Sequence, residues 1–144
     1  MRLTPDITWT VVGSPGYFAR HGLPATPEDL TRHQAIRYRY PTSGVIYRWE
    51  FERAGRDFSV DAPGSLIVND FLLLLELAEA GLGLVYLPDI SVGEAVAAGR
   101  LERVLQPFLP TSPGLFAYFP ARSQAQPKLR VFLDMASTLL RRKG

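Results

Sequence analysis

The sequence predicts an α/β protein with a mixed sheet, and three observations carry that prediction. Short apolar segments alternate along the chain with segments that open on helix-capping residues. The stretch VNDFLLLLELAEAGLGLVYLP, Val68 to Pro88, sets a capped helix, a glycine stop, a strand and a proline one behind another. From Pro127 onward, Leu129, Phe132, Leu133, Ala136, Leu139 and Leu140 recur at the spacing of one helical face.

Trp9 to Val12 is apolar and short, a strand. It runs into Gly13-Ser14-Pro15, where Ser14 suits a cap and Pro15 the first helical position, so a short helix follows and ends at Gly22. Thr26-Pro27-Glu28-Asp29 repeats the recipe with two acids at the positive end of a helix. Ile36, Tyr38 and Tyr40 alternate with Arg37 and Arg39, which predicts a half-buried strand leading to the loop Pro41-Thr42-Ser43-Gly44. Tyr47, Trp49 and Phe51 alternate with charged residues, and the pattern resumes at Phe58 and Val60 after Ala54-Gly55, a β-hairpin. Its arginines Arg48, Arg53 and Arg56 are expected in cross-strand ion pairs.

Leu66 to Val68 reads as another buried strand. Asn69 or Asp70 then caps a helix from Phe71 to Ala80, apolar almost all round and therefore expected to be buried on most of its surface, with Glu76 and Glu79 on its one wet edge. Gly81 supplies the left-handed stop, and Leu84 to Leu87 is a buried strand ended by Pro88. Ile90 to Ala98 is a short helix stopped by Gly99, and Leu101 to Leu105 a strand. Pro107, Pro110 and Pro113 mark a connector, after which come a strand at Leu115 to Phe119 and the amphipathic helix behind Pro127.

Composition excludes little. With 47% hydrophobic residues the 144-residue chain can build a core. Sixteen basic against fourteen acidic residues leave a net charge of +2, too weak for nucleic-acid binding without a concentrated patch. The chain has no cysteine, hence no disulfide and no thiolate ligand or nucleophile. No apolar run reaches the length of a membrane span and Met1 to Pro5 lacks the apolar core of a signal peptide, so a cytoplasmic protein with no membrane contact is expected.

The motifs that suggest chemistry have plainer readings. Gly81-Leu82-Gly83 precedes a strand, and the third glycine of a dinucleotide loop would fall on Tyr86. Gly13-Ser14-Pro15-Gly16 fails the spacing of a nucleophile elbow. His21 and His33, the only histidines, sit at helix ends, where a cationic or capping role suffices. No catalytic constellation, metal-ligand cluster or cofactor motif emerges, and the sequence does not argue for an enzyme.

In order, WTVVGSPGYFARHGLPATPEDLTRHQAI, YRWEFERAGRDFSVDAPG, VNDFLLLLELAEAGLGLVYLP, GRLERVL and LFAYFPARSQAQPKLRVFLDMASTLL resemble the effector-binding domain of LysR-type transcriptional regulators. The Arg-Tyr-Arg-Tyr-Pro strand and Tyr118-Phe119-Pro120 are similar to a branch of that family named after an adhesion regulator of pathogenic bacteria. The resemblance implies a periplasmic-binding-protein-like (type 2) fold of two α/β lobes with an effector cleft between them. Residues 1–112 would then be lobe two with its entry strand, and 113–144 the return strand and C-terminal helix of lobe one. It also implies that DNA is contacted only through an N-terminal helix-turn-helix domain that this sequence does not contain.

Two functional classes follow: a domain that senses a small-molecule effector, such as a carboxylate, and an oligomerisation module that binds no ligand. For the first, the capped turn of Asn69, Asp70 and Phe71 is the primary candidate, because a helix N-terminus presents free N–H groups and a positive dipole end to an anion. Arg37, Arg39, Ser43 and Gly44, with Tyr86 and Pro88 across the cleft, form a second set. Strand alternation places both arginines on the face opposite the aromatics, available for a ligand carboxylate. The leucine-rich face of the last helix, lacking most of the sheet it covers in the family, predicts a homodimer.

Overall fold

A computed structural model describes residues 7–112. The expected return strand at Leu115 to Phe119 and the helix behind Pro127 lie outside the described residues. The elements are β1 (Ile7–Gly13), α1 (Pro15–His21), a 3₁₀ helix (Pro27–Arg32), β2 (Ile36–Tyr38), β3 (Trp49–Arg53), β4 (Arg56–Val60), β5 (Leu66–Val68), α2 (Phe71–Glu79), β6 (Val85–Pro88), α3 (Asp89–Ala97), β7 (Glu102–Val104), a second 3₁₀ turn (Gln106–Phe108) and β8 (Thr111–Ser112).

The caps form as the sequence expects. Ser14 Oγ accepts from the Tyr17 amide at 3.0 Å, with Pro15 at the first position and Gly22 at the end of α1. The segment from Pro27 closes as a 3₁₀ helix, where Asp29 Oδ2 reaches back to the amides of Ala25 and Thr26 at 2.8 and 3.0 Å.

β1 pairs antiparallel with β6 on one side and β7 on the other, while β2 and β5 pair parallel. A parallel bridge between Ala35 and Leu84 joins the two sets. Its bonds run from Leu84 N to Gln34 O and from Ile36 N to Leu84 O, each 2.8 Å. The strands therefore lie in the order β5-β2-β6-β1-β7, and β5-α2-β6 is a βαβ crossover with β2 between its strands. Along β1, Trp9 and Val11 share one face with Pro88 and Tyr86, and Thr10 and Val12 share the other with Leu87 and Val85. On the first face Tyr86 stacks on Trp9 and Trp49, with centroids 5.2 and 5.8 Å apart, and Phe51 of the hairpin closes the cluster. α3 packs against β1 and β6, burying Val92 and Ala95.

The hairpin β3–β4 turns through Ala54 and Gly55, both at positive φ (51° and 76°), the twist that matches two antiparallel strands. Its register corrects the expected ion pairs. Glu52 faces Asp57 and Arg53 faces Arg56, so like charges stand opposite one another. The arginines find partners elsewhere. Arg53 makes a bidentate pair with Glu28 at 2.6 and 2.8 Å, which holds that exposed carboxyl down near about 2, and Arg48 reaches Ser59 and Asp61.

Two further expectations are corrected by burial. β5 is not a buried strand: it sits at the sheet edge, with Leu66 38% and Ile67 39% exposed. α2 buries only the stripe Phe71, Leu74 and Ala78, because a nine-residue helix lying on one side of a sheet has a single inward face.

His33 proves to be a core group. Its Nδ1 lies 2.8 Å from the Tyr17 hydroxyl, which also accepts from the Gln34 amide at 3.1 Å. The hydroxyl thus bridges the Gln34 amide, from which it accepts, and the His33 ring nitrogen. Burial first, and the nearby His21 second, lower the His33 pKa. A depressed value in the folded state means that the unfolded chain takes up a proton first, so stability present above about pH 6.5 is lost as pH falls through the folded value. Urea unfolding of the Tyr17→Phe protein is expected to show about 1–3 kcal/mol less stability at pH 7, since both hydrogen bonds of the hydroxyl go. His33→Gln should flatten the decline in stability between pH 7 and pH 5; an unchanged slope would show that another group drives it.

Candidate ligand-binding site

Because β5, β2 and β6 are parallel, they end at one edge of the sheet, and β1, antiparallel to β6, begins there. Asn69, Arg39, Pro88 and Thr8 lie along this edge, and α2 and α3 both start from it. In open α/β sheets the space beyond the carboxyl ends of the strands is where ligands bind.

Two of the residues singled out in the sequence come together there. Arg39 and Asn69, both exposed, line a cavity of about 450 Å³ with Ile67, Val68 and Leu73. Arg39 follows β2 at an isolated antiparallel bridge to Ile46, and its amide donates to Val68 O at 2.8 Å, so the backbone beneath the guanidinium is fixed to β5. Val68 and Leu73 were legible as apolar but not as lining residues. The signal was the excess of leucines, more than one helical face can bury.

Asp70 is the cap. Its Oδ1 accepts from the amides of Leu72 at 2.8 Å and Leu73 at 3.4 Å. These two amides of the first turn are thus already engaged by a carboxylate. Phe71 is 3% exposed and stacks on Tyr38 with centroids 4.3 Å apart, a core position.

Arg37 departs from the expectation. Alternation does place it on the face opposite Ile36 and Tyr38, but Ala62 and the hairpin cover that face, leaving it 7% exposed. Its guanidinium donates to Ala62 O at 3.0 Å and Tyr47 O at 3.3 Å and pairs with Asp61 at 2.7 Å. It ties β2 to the strand following it and to the end of the hairpin, and is not available to a ligand as Arg39 is.

The remaining candidates are spread apart. Ser43 and Gly44 form an exposed turn: Ser43 Oγ accepts from the Val45 amide at 3.2 Å, and Gly44, at φ 75°, donates to Tyr40 O at 2.9 Å. Tyr86 is buried and its hydroxyl donates to Glu50 O at 2.8 Å; burial pushes its phenol pKa up, so it stays neutral. Pro88 is buried opposite Trp9 and precedes α3, and its carbonyl accepts from Ser91 Oγ at 2.6 Å.

A second cavity, about 360 Å³, lies farther along the same edge, lined by Thr8, Trp9, Thr10, Asp89, Arg103, Gln106 and Leu109. Arg103 and Asp89 are joined there by two hydrogen bonds of 2.6 and 3.0 Å, which spends the charge of each on the other. A third, about 430 Å³, lies on the hairpin among Glu50, Glu52 and Asp57, a lining that repels an anion. Among the described residues Arg39 is thus the cation this edge offers in a cavity. No group of three or more His, Asp or Glu that could hold a metal ion occurs among the described residues.

Residues 2–141 match the LysR substrate binding domain family. The chain is 40% identical over 134 residues to the HTH-type transcriptional regulator PgrR of Escherichia coli, covering 93% of this chain and 45% of PgrR. It is 36% identical over 102 residues to the putative LysR family substrate binding domain-containing protein YagP of the same organism, covering 71% of this chain and 75% of YagP. Among solved structures, that of CrgA, a LysR-type regulator from Neisseria meningitidis, superposes with a TM-score of 0.64 at 27% identity over 93% of this chain and 45% of CrgA. The chain spans about half the length of the full regulators it matches, and these relatives are named as transcriptional regulators, not as enzymes. The fold is the type 2 periplasmic-binding-protein-like one that the resemblance implied.

The two arginines separate in a stability measurement. Arg37→Ala strips donors from two buried carbonyls and is expected to cost about 2–3 kcal/mol, whereas Arg39→Ala, at the surface, should stay within about 0.5 kcal/mol. Thermal or urea unfolding checks both; equal losses would contradict the placement of Arg37 inside.

Proposed function

We propose that this chain, which belongs to the LysR substrate-binding domain family, is the effector-sensing part of a transcriptional regulator. The observation that carries the reading is the convergence of Arg39 and Asn69 in one cavity at the ends of parallel strands, beside the start of α2.

The cavity suits a small anion with an apolar body, a carboxylate. Arg39 supplies the planar fork that matches a carboxylate, Asn69 an amide donor, and Ile67 and Leu73 apolar walls. Pro88 and the Ser43–Gly44 turn would border the ligand from neighbouring strand ends, while Arg37, Phe71 and Tyr86 hold the strands in place. In this reading residues 1–112 form lobe two and 113–144 complete lobe one. The support is that β8 pairs with the first residues of β1, Ile7 with Ser112 and Thr8 with Thr111, so the chain enters and leaves the lobe side by side.

DNA contact would belong to the part of a full regulator that this chain does not span, and the protein would work in the cytoplasm as a homodimer. No helix among the described residues is long and apolar enough to cross a membrane. Support for self-association comes from the exposed apolar side chains of β5 and α2.

Isothermal calorimetry of the full chain against a panel of small mono- and dicarboxylates tests the reading. Saturable binding is expected, weakened about 10- to 100-fold by Arg39→Ala, the loss of one charge-assisted contact, and less by Asn69→Ala. Unchanged affinity in both folded variants would remove this cavity as the site.

A further inference from the structure

Between β7 and β8 the returning chain falls out of step with β1. β7 runs beside β1 as far as Val104, opposite Val11, and pairing resumes at Thr111, opposite Thr8. Six residues, Leu105 to Pro110, therefore stand against two, Trp9 and Thr10. The surplus loops out at Leu105, a buried leucine held at φ 61°, and passes through the second 3₁₀ turn. Left-handed backbone is unfavourable for a residue with a side chain. Bulges and strained residues of this kind gather where a sheet has to re-aim side chains for a purpose.

What opens there is the cavity of about 360 Å³, of a size that suits a small ligand. β6 lies between it and the Arg39 cavity, which sits against β2 and β5. Strand alternation puts Thr8 and Thr10 on the face of Val12, whose partner is Arg103. Asp89, at the start of α3, meets Arg103 on that face, and Gln106 and Leu109 come from the loop. Trp9 turns its indole to the other face, onto Tyr86. Thr10 is 1% exposed, and its Oγ1 has no hydrogen-bond partner among the described residues. Buried hydroxyls are normally paired, because an unpaired one costs stability. This one stands in the wall of a cavity.

We propose that this cavity is a second small-molecule site, and that it takes a neutral polyhydroxylated compound, a sugar or polyol with neighbouring hydroxyls. The charge of the wall selects the class. Asp89 and Arg103 neutralise one another through bonds of 2.6 and 3.0 Å, so an anion meets the carboxylate and a cation meets the guanidinium. Hydrogen-bonding capacity remains on both: the pair uses two of the five guanidinium donors and one site on each carboxylate oxygen. A hydroxyl donates and accepts at once, so neighbouring hydroxyls suit a wall in which an acceptor group and a donor group are locked side by side. Thr8, Thr10 and the Gln106 carboxamide each offer both roles as well, and Leu109 faces the carbon skeleton. The site does not depend on the Arg39 cavity being the effector site.

The test titrates the full chain with glycerol, myo-inositol and D-glucose, and with succinate for comparison, while amide NMR signals are followed. Saturable shifts are expected at Thr8, Thr10, Asp89, Arg103 and Gln106 with at least one of the polyols. Thr10→Val keeps the shape of the side chain and removes the hydroxyl. Because that hydroxyl is unpaired in the free protein, the variant should be at least as stable as the parent, while affinity for the polyol falls about 3- to 10-fold, the loss of one hydrogen bond. Gln106→Ala, at an exposed position, should weaken binding in the same direction and carries the test if Thr10→Val is destabilised. No saturation by any of the three polyols up to about 100 mM, or unchanged affinity in both variants, would overturn the proposal. Shifts at these residues driven by succinate and not by the polyols would overturn it too. Polyol binding lost on Arg39→Ala and kept in Thr10→Val would do the same, since the ligand would then occupy the other cavity.

Discussion

The structure depends on one close approach, at Gln34 and Ala35. Here the backbone of β2 lies against Leu84 on one side and against Pro63 on the other, through hydrogen bonds of 2.8 Å to each. Room for this comes from two glycines. A Cβ on Gly64 would stand 1.7 Å from the carbonyl oxygen of Ala35, and one on Gly83 2.7 Å from that of Gln34. These are backbone atoms that cannot swing aside, so both positions are closed to any side chain. Without the bridge, β2–β5 and β6–β1–β7 would be two separate ribbons. With it, Arg39 and Asn69 lie on the same edge as Pro88 and Thr8.

Arg37 and Arg39 show how far strand alternation reaches. It assigns them correctly to one face, opposite Ile36 and Tyr38. What alternation cannot supply is the coverage of that face, which is decided by the chain segment at Ala62 and by Tyr47, remote in sequence. One arginine became a tie inside the protein and the next one a surface cation two residues away. The same holds for the hairpin, where alternating charges suggested cross-strand pairs. Register depends on the turn, and the Ala54-Gly55 turn sets like charges opposite and sends Arg53 to Glu28 instead.

Elements defined by local chemistry were legible: Ser14, Pro15 and Gly22 around α1, Asp70 and Gly81 around α2, and the apolar strand before Pro88. Burial was less so wherever it depends on neighbours. Leu66 and Ile67 carry the composition of a central strand but occupy an edge. α2 has the composition of an enclosed helix, yet one sheet can cover only one of its sides. Of the surplus leucines Leu73 is the most exposed, and it walls the cavity beside Arg39.

That shared wall bears on how the site can discriminate. The α2 N-terminus suggested itself as the anion-binding element, but Asp70 takes the amides of Leu72 and Leu73 for itself. Its carboxylate offsets part of the dipole that would otherwise attract a ligand. Attraction for an anion then rests on Arg39, a single exposed cation whose pull is weakened by water and salt. One exposed arginine cannot by itself hold a small anion tightly or tell one carboxylate from another. In the proposed site, selectivity would come from what the rest of the ligand meets, the apolar side chains of Ile67 and Leu73 and the carboxamide of Asn69. On the proposed reading such a cavity would favour a ligand whose apolar body fills the wall and whose carboxylate adds affinity and orientation through Arg39.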